Sequence, residues 1–306
     1  MEFLNAAQTG ALLPYSSLAN AVREVLQDAA AFAPERSRLE LPNGVLLFMP
    51  ARDSKFAVTK LVTVHPRNVH LPTIQGEVIL MDAYTGERLL MLDGVTVTAR
   101  RTAAVSLLAA QTLAFAQGGN LLVVGTGTQA RSHLEAFIEH YRLENIWVYG
   151  RNLEKAQALA RDFGAVAVSS LEVLPEADFI CTTTNSTSPV ISDQVKPTAF
   201  IAAVGAFRPD MLEIPFTITK CAKIFVDDLE GAHTEAGDIL QAGMDWTKIQ
   251  SLRQALNTKR LEQLVLFKSV GCALWDLAAA KLAYTNMTAK GATSIRAKYK
   301  TEEHLV

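Results

Sequence analysis

Apolar and polar positions follow one spacing at the start of this chain and others further on, and each change predicts a different element type. Over residues 18–32, Leu18, Val22, Val25, Leu26 and Ala29 recur at helical spacing and predict an amphipathic helix. The period then falls to two. Val45–Met49 reads as a short strand closed by Pro50, Phe56–Val64 as a second, and Glu77–Met81 with Glu87–Leu92 as a hairpin about Asp82-Ala83-Tyr84-Thr85-Gly86. Thr98 is expected to cap a long helix ending near Ala116. Beyond Gly118-Gly119-Asn120, short apolar runs alternate with helical stretches near 128–141 and 153–163. The runs are Leu121–Val124, Ile146–Tyr149, Phe179–Cys181, Phe200–Val204 and Ile224–Val226. The predicted fold class is α/β, a doubly wound parallel sheet of Rossmann type over 118–268. A discontinuous α+β domain is expected from 1–117 and 269–306, with a last apolar helix from 269 to about Tyr284 returning to it. The basic, polar tail after Met287 reads as an arm or as disordered.

The first alternating strand runs directly into Gly125-Thr126-Gly127-Thr128-Gln129-Ala130, a G-x-G-x-x-A turn with a helix behind it. Gly125 permits the tight turn, Gly127 lets backbone approach a pyrophosphate, and Ala130 lets the helix pack close to the strand. The helix N-terminus supplies N–H groups to the anion. A nicotinamide dinucleotide is therefore the expected cofactor. The next strand ends in Gly150-Arg151-Asn152, where many NAD-binding domains carry a carboxylate for the ribose 2′-hydroxyl. A guanidinium there suits a 2′-phosphate, so NADPH is favoured over NADH.

Composition narrows the classes. Of 306 residues 49% are hydrophobic, enough for two sizeable cores, and 29 basic against 31 acidic residues disfavour a general nucleic-acid binder. No basic leader or membrane-length apolar run is seen, and Cys181, Cys221 and Cys272 are too dispersed for a zinc site or a disulfide frame. The expectation is a cytoplasmic protein with buried thiols and neither metal, membrane nor nucleic-acid partner.

Several polar residues stand out against this background. Lys60 shares a strand face with Phe56, Val58, Val62 and Val64, so it must find an anion or reach water at the strand end. Arg100 and Arg101 fall in the first turn of the helix expected after Thr98, where cations oppose the helix dipole unless an anion binds nearby. His65 reads as a structural histidine after a strand, and Asp227-Asp228 as a helix or turn cap.

Taken together, several segments mark a family. They are Pro34-Glu35-Arg36, Leu47-Phe48-Met49-Pro50-Ala51, Thr59-Lys60-Leu61-Val62, Thr98-Ala99-Arg100-Arg101-Thr102-Ala103-Ala104, the glycine-rich turn, Val204-Gly205-Ala206 and Phe267-Lys268-Ser269-Val270-Gly271. In this order they resemble the ornithine cyclodeaminase/mu-crystallin family over nearly the whole chain. Lys60–Pro66 and Thr73–Glu77 look most like its bacterial reductases of Δ1-pyrroline-2-carboxylate.

The resemblance implies a homodimer, and a substrate carboxylate gripped by Arg36, Lys60 and Arg101, with Arg38 an alternative to Arg36. It also implies cofactor contacts at Thr102, Gly125, Gly127, Thr128, Gln129, Ala130, Arg151, Thr183, Val204 and Ser269. The expected reaction is reduction of a cyclic imino acid to L-proline, or of its six-membered homologue to L-pipecolate, with the nicotinamide facing the cleft between the domains. Lys60 or a water would supply the proton. Family cyclodeaminases carry an Asp two residues beyond the glycine of the Val-Gly turn, where this chain has Phe207, so ornithine cyclisation is disfavoured. A cyclodeaminase, an amino-acid dehydrogenase, or a mu-crystallin-type binding protein dependent on NADPH are the alternatives the resemblance leaves open.

Overall fold

The computed structural model describes residues 2–302, with side chains described as far as residue 289. Elements in chain order are β1 (Glu2–Leu4), α1 (Ala6–Ala11), α2 (Tyr15–Gln27), β2 (Ser37–Leu41), β3 (Gly44–Arg52), β4 (Phe56–Val64), β5 (Ile74–Asp82), β6 (Arg88–Asp93) and α3 (Gly94–Leu113). Next come β7 (Gly118–Val124), α4 (Thr128–His140), β8 (Arg142–Tyr149), α5 (Leu153–Asp162), β9 (Val166–Val168), β10 (Phe179–Thr182), β11 (Phe200–Ala203) and α6 (Phe216–Cys221). The chain continues through β12 (Lys223–Val226), α7 (Leu229–Glu235), α8 (Gly237–Leu240), β13 (Gln250–Ser251), α9 (Leu252–Ala255), β14 (Val265–Lys268) and α10 (Ala273–Glu302). The chain divides into two compact units, Met1–Thr98 with Ala273–Val306, and Ala99–Cys272.

The first unit is built on a six-stranded sheet, β1-β6-β5-β4-β3-β2, antiparallel except where β1 joins β6. Period-two alternation gives it two unlike faces. Met49, Lys60, Val78, Leu92 and Leu4 share one row and are all buried; α10 packs on β3 to β6 and against α2. The opposite face carries the partly buried row Pro50, Thr59, Ile79 and Met91, beside the row Phe48, Leu61, Glu77 and Asp93, in which Phe48 and Glu77 are exposed.

Three expectations are corrected here. Pro50 does not close β3, because β2 pairs only as far as Phe48, leaving the strand an edge there, where proline is tolerated. The long helix starts at Gly94 rather than after Thr98, with the Asp93 carboxylate accepting the Thr96 N–H at 2.7 Å. Arg100 and Arg101 thus lie beyond its first turn, and the dipole argument for them lapses. The last helix starts at Ala273 rather than 269 and continues to Glu302, so the tail expected as an arm or as disordered is helical as far as it is described; residues 303–306 lie outside the described residues.

The second unit holds an eight-stranded parallel sheet, β13-β12-β14-β11-β10-β7-β8-β9. The doubly wound α/β fold expected from the alternation is thus present. Its central strands are fully buried, which is why they read as unbroken apolar runs. Strand order reverses between β7 and β10, the switch point where such sheets bind ligands beyond the strand carboxyl ends. Strands β1, β2, β9, β13 and β14 are not predicted by the pattern. Cys181 is buried, and burial pushes its thiol well up, but Cys221 is exposed because α6 ends on the surface there.

Candidate functional site

The carboxyl end of β7 shows whether a dinucleotide fits. Gly125 has φ +132°, and its N–H donates to Tyr149 O at 2.9 Å, tying the turn between β7 and α4 to the end of β8. A Cβ there would overlap the Thr183 hydroxyl. Gly127 is exposed and a Cβ on it would meet nothing within 4 Å, so the turn opens outward at that residue. It caps α4 without a side-chain hydrogen bond, which leaves the first-turn N–H groups to an incoming anion. Thr128 is exposed, Gln129 half-buried, and Ala130 fully buried where helix meets sheet. Arg151 is exposed just after β8, and a Cβ on its neighbour Gly150 would touch the Thr126 methyl at 2.6 Å, so the two turns abut. These features fit a pyrophosphate on the glycine turn.

Behind the turn, His133 is completely buried. Its Nδ1 lies 2.8 Å from Gln129 O and its Nε2 3.0 Å from the Ser106 hydroxyl, linking α4 to α3. Burial lowers its pKa to about 4, so the ring is neutral and packs as a polar strut.

The turns after β10 and β11 meet on a group the motif reading missed. Glu213, fully buried, accepts the Thr184 N–H at 2.6 Å and its hydroxyl at 2.8 Å on one oxygen, and the Gly205 and Ala206 N–H groups at 2.8 and 3.2 Å on the other. Asp238 accepts the N–H groups of Glu213 and Ile214 at 2.7 and 2.9 Å and pairs with Lys268 Nζ at 2.8 Å; both are fully buried. Burial pushes the Glu213 carboxyl upward, partly offset by the Lys268 charge. The polar residues of this network are scattered over 184–268; Lys268 lies in one of the family segments, but no local pattern pairs it with Asp238 or Glu213. Val204 is buried at the head of its turn, while Phe207 is 42% exposed just beyond.

Asp227 organises the turn Ser269–Gly271. The Ser269 hydroxyl donates to Asp227 Oδ2 at 2.7 Å, as does the Gly271 N–H at 2.8 Å, while the Val270 N–H reaches Oδ1 at 3.1 Å. Gly271, at φ +90°, faces Arg101, whose guanidinium nitrogens would lie 3.1 Å from a Cβ there, so a side chain would be strained by the backbone and would crowd the guanidinium. Arg101 and Thr102 are buried. Asp228 caps α7 through the Gly231 N–H at 2.8 Å, so both members of Asp227-Asp228 act as caps. Arg100 pairs with Glu135 at 3.2 Å.

In the first unit, Lys60 is 2% exposed and Asp276 0%. The ammonium meets both carboxylate oxygens, at 3.1 and 2.9 Å. The anion demanded by an apolar row is therefore a side chain from the first turn of α10, 216 residues away, which local pattern could not pair with it. Arg36 is half-buried before β2; Arg38, on β2, is exposed and pairs with Glu40 at 2.6 Å. The main-chain N–H of His65 donates to Thr73 O at 2.7 Å at the end of β4. Among the described residues there is no His, Cys, Asp or Glu group that could hold a metal, and no helix long and apolar enough to cross a membrane.

A glycine turn at the switch point of a parallel sheet, uncapped toward an anion, defines a dinucleotide-binding protein. The profile of the ornithine cyclodeaminase/mu-crystallin family matches residues 2–291, and this chain belongs to that family. It is 39% identical over 298 residues to Δ1-pyrroline-2-carboxylate reductase 1 of Burkholderia multivorans, covering 94% of this chain and 96% of that one. It is also 39% identical over 300 residues to the Δ1-pyrroline-2-carboxylate/Δ1-piperideine-2-carboxylate reductase of Azospirillum brasilense, with 94% and 96% covered. Among solved structures, the Δ1-pyrroline-2-carboxylate reductase of Thermococcus litoralis, in complex with NADH and L-proline, superposes with a TM-score of 0.87 at 28% identity, covering 95% and 98% of the two chains.

Proposed function

We propose that this chain is an NAD(P)H-dependent reductase of cyclic ketimine acids, converting Δ1-pyrroline-2-carboxylate to L-proline and also accepting the six-membered Δ1-piperideine-2-carboxylate. One observation carries the reading: Lys60, a buried cation in an apolar row, sits in a chain 39% identical over nearly its full length to reductases of this substrate. The bound cofactor supplies a hydride to the imine carbon; the C=N π bond breaks, and the nitrogen takes a proton. Arg36, Lys60 and Arg101 are the residues we assign to the substrate carboxylate, with Arg36 preferred because Arg38 is committed to Glu40. Lys60 is the side chain we nominate to hold the transferable proton. One methylene is worth only about 1–3 kcal/mol in an apolar pocket, which supports turnover of both rings.

The cofactor is held, on this reading, by Gly125, Gly127, Thr128, Gln129 and Ala130 at the pyrophosphate, with Thr102, Thr183, Val204 and Ser269 toward the nicotinamide. Arg151 favours NADPH. Residues 1–117 with 269–306 would form the substrate and dimerisation domain and 118–268 the dinucleotide domain. A homodimer is supported by apolar side chains on the outer face of the six-stranded sheet, Phe48, Leu61, Ile79 and Met91, which lie among Thr59 and Glu77 and would otherwise face water. The cytoplasm, which supplies reduced nicotinamide, is the proposed compartment.

The test is oxidation of NADPH and NADH with Δ1-pyrroline-2-carboxylate, with ornithine as control. Rapid oxidation yielding L-proline supports the reading. Ammonia released from ornithine without imine reduction would replace it with a cyclodeaminase, and tight dinucleotide binding without turnover would replace it with a binding protein.

A further inference from the structure

The parallel ladder of the second unit already fixes β10 to β11, pairing Phe179–Thr182 with Phe200–Ala203. The contacts of Glu213 begin where that ladder stops. Three main-chain N–H groups and one hydroxyl, from Thr184, Gly205 and Ala206, converge on its two oxygens. All four partners donate, which matches a carboxylate. The turns also touch directly, since a Cβ on Gly205 would overlap the Thr184 backbone and lie 2.6 Å from Glu213 Oε1. Glu213 is held in its turn by Asp238, and Asp238 by Lys268 at the end of β14. Apolar residues would hold a core at least as stably as three buried ionisable groups. What such groups add is geometry, because each oxygen accepts from set directions.

We propose that Glu213 is a positioning residue for the nicotinamide half of the dinucleotide: it locks the turn after β10 to the turn after β11, and so sets where Thr183 and Val204 stand. This rests on the reading above that those two residues line the cofactor. The adenosine half, at the glycine turn and Arg151, does not depend on Glu213. The two halves should therefore respond differently when it is changed.

Glu213→Gln keeps the shape but places an amide NH2 against donors whichever way it turns, leaving at least one main-chain N–H without an acceptor. The full-length protein is titrated with NADPH and with 2′-phospho-ADP-ribose, which lacks nicotinamide, following binding by calorimetry. The expected result is a rise of about ten-fold or more in Kd for NADPH, with the nicotinamide-free probe changed less than about two-fold. Equal weakening of both, or of neither, overturns the proposal, because a general structural role moves both alike. If Glu213→Gln does not fold, Thr184→Val, which removes the hydroxyl donor to Glu213 and a long 3.4 Å contact from the Ser186 N–H, is measured in the same way. A selective weakening of about two- to five-fold for NADPH supports the proposal and its absence overturns it. A wild-type protein that binds neither NADPH nor NADH overturns the dinucleotide reading itself, and that result is distinct from non-selective weakening in the variant.

Discussion

Lys60 in the first unit and Glu213 in the second are both ionisable groups withdrawn from water, yet their surroundings differ. Lys60 lies in a row of Met49, Val78, Leu92 and Leu4, and meets the side-chain carboxylate of Asp276. Glu213 lies among main-chain donors, and behind it stand Asp238 and Lys268. Main-chain donors cannot move without the turns that carry them, so the second arrangement fixes backbone geometry. A lysine on a four-carbon stem can shift its ammonium while the backbone stays still. The first arrangement therefore suits a charge that a substrate shares, the second a frame that a cofactor rests on.

The strongest way to break this contrast is to remove one member of the Lys60 pair. Lys60→Met leaves the Asp276 carboxylate buried beside a thioether, and stability should fall by about 3–5 kcal/mol in denaturant unfolding. Lys60→Met with Asp276→Leu should recover most of that loss while imine reduction stays abolished. A double variant that retains turnover would show that Lys60 serves the fold and not the substrate.

His133 gives the next largest effect, because it is a buried polar group without a charge. Its folded pKa of about 4 lies below the usual 6.5. The unfolded chain thus binds a proton first as pH falls. The stability linked to His133 is complete above pH 6.5 and drains away between 6.5 and about 4, by at most about 3 kcal/mol. Unfolding free energies measured across that window should fall less steeply in His133→Gln. An unchanged slope would mean that other groups carry the acid response.

How far these arrangements were legible follows from what holds them. Strands β4 and β10 and the glycine turn were readable because period, β-branched residues and glycine spacing are local. Lys60 was readable as a misfit in its row, but its partner was not, since nothing near residue 60 encodes a contact with residue 276. The Glu213 network escaped for a related reason: a carboxylate satisfied by main-chain N–H groups needs no complementary side chain to betray it. The start of α3 lies five residues before the one Thr98 predicts, because Thr98 and Asp93 are both good capping residues and only the hydrogen bond to Thr96 decides between them.

A smaller effect tests the glycine turn against the Glu213 frame. Gly125→Ala puts a side chain at φ +132° and against the Thr183 hydroxyl, a strain of about 1–3 kcal/mol. It should weaken NADPH and 2′-phospho-ADP-ribose together, the opposite of the selectivity expected at Glu213. Selective weakening here would mean that the two turns act as one body, and the division between halves of the cofactor would fail.

The finest distinction concerns the phosphate. Arg151 is exposed beyond β8, so its attraction for a 2′-phosphate is screened by water and salt. Its removal should be felt by about ten-fold, or roughly 1.4 kcal/mol, in the Kd for NADPH, and hardly at all for NADH. The difference should shrink as ionic strength rises, because an exposed charge loses its reach within a Debye length. Equal losses for both cofactors in Arg151→Ala would remove Arg151 from the 2′-phosphate and leave cofactor choice to the turn at Thr126–Thr128. A salt-independent loss confined to NADPH would mean instead that the guanidinium closes over the phosphate and excludes water when the cofactor binds.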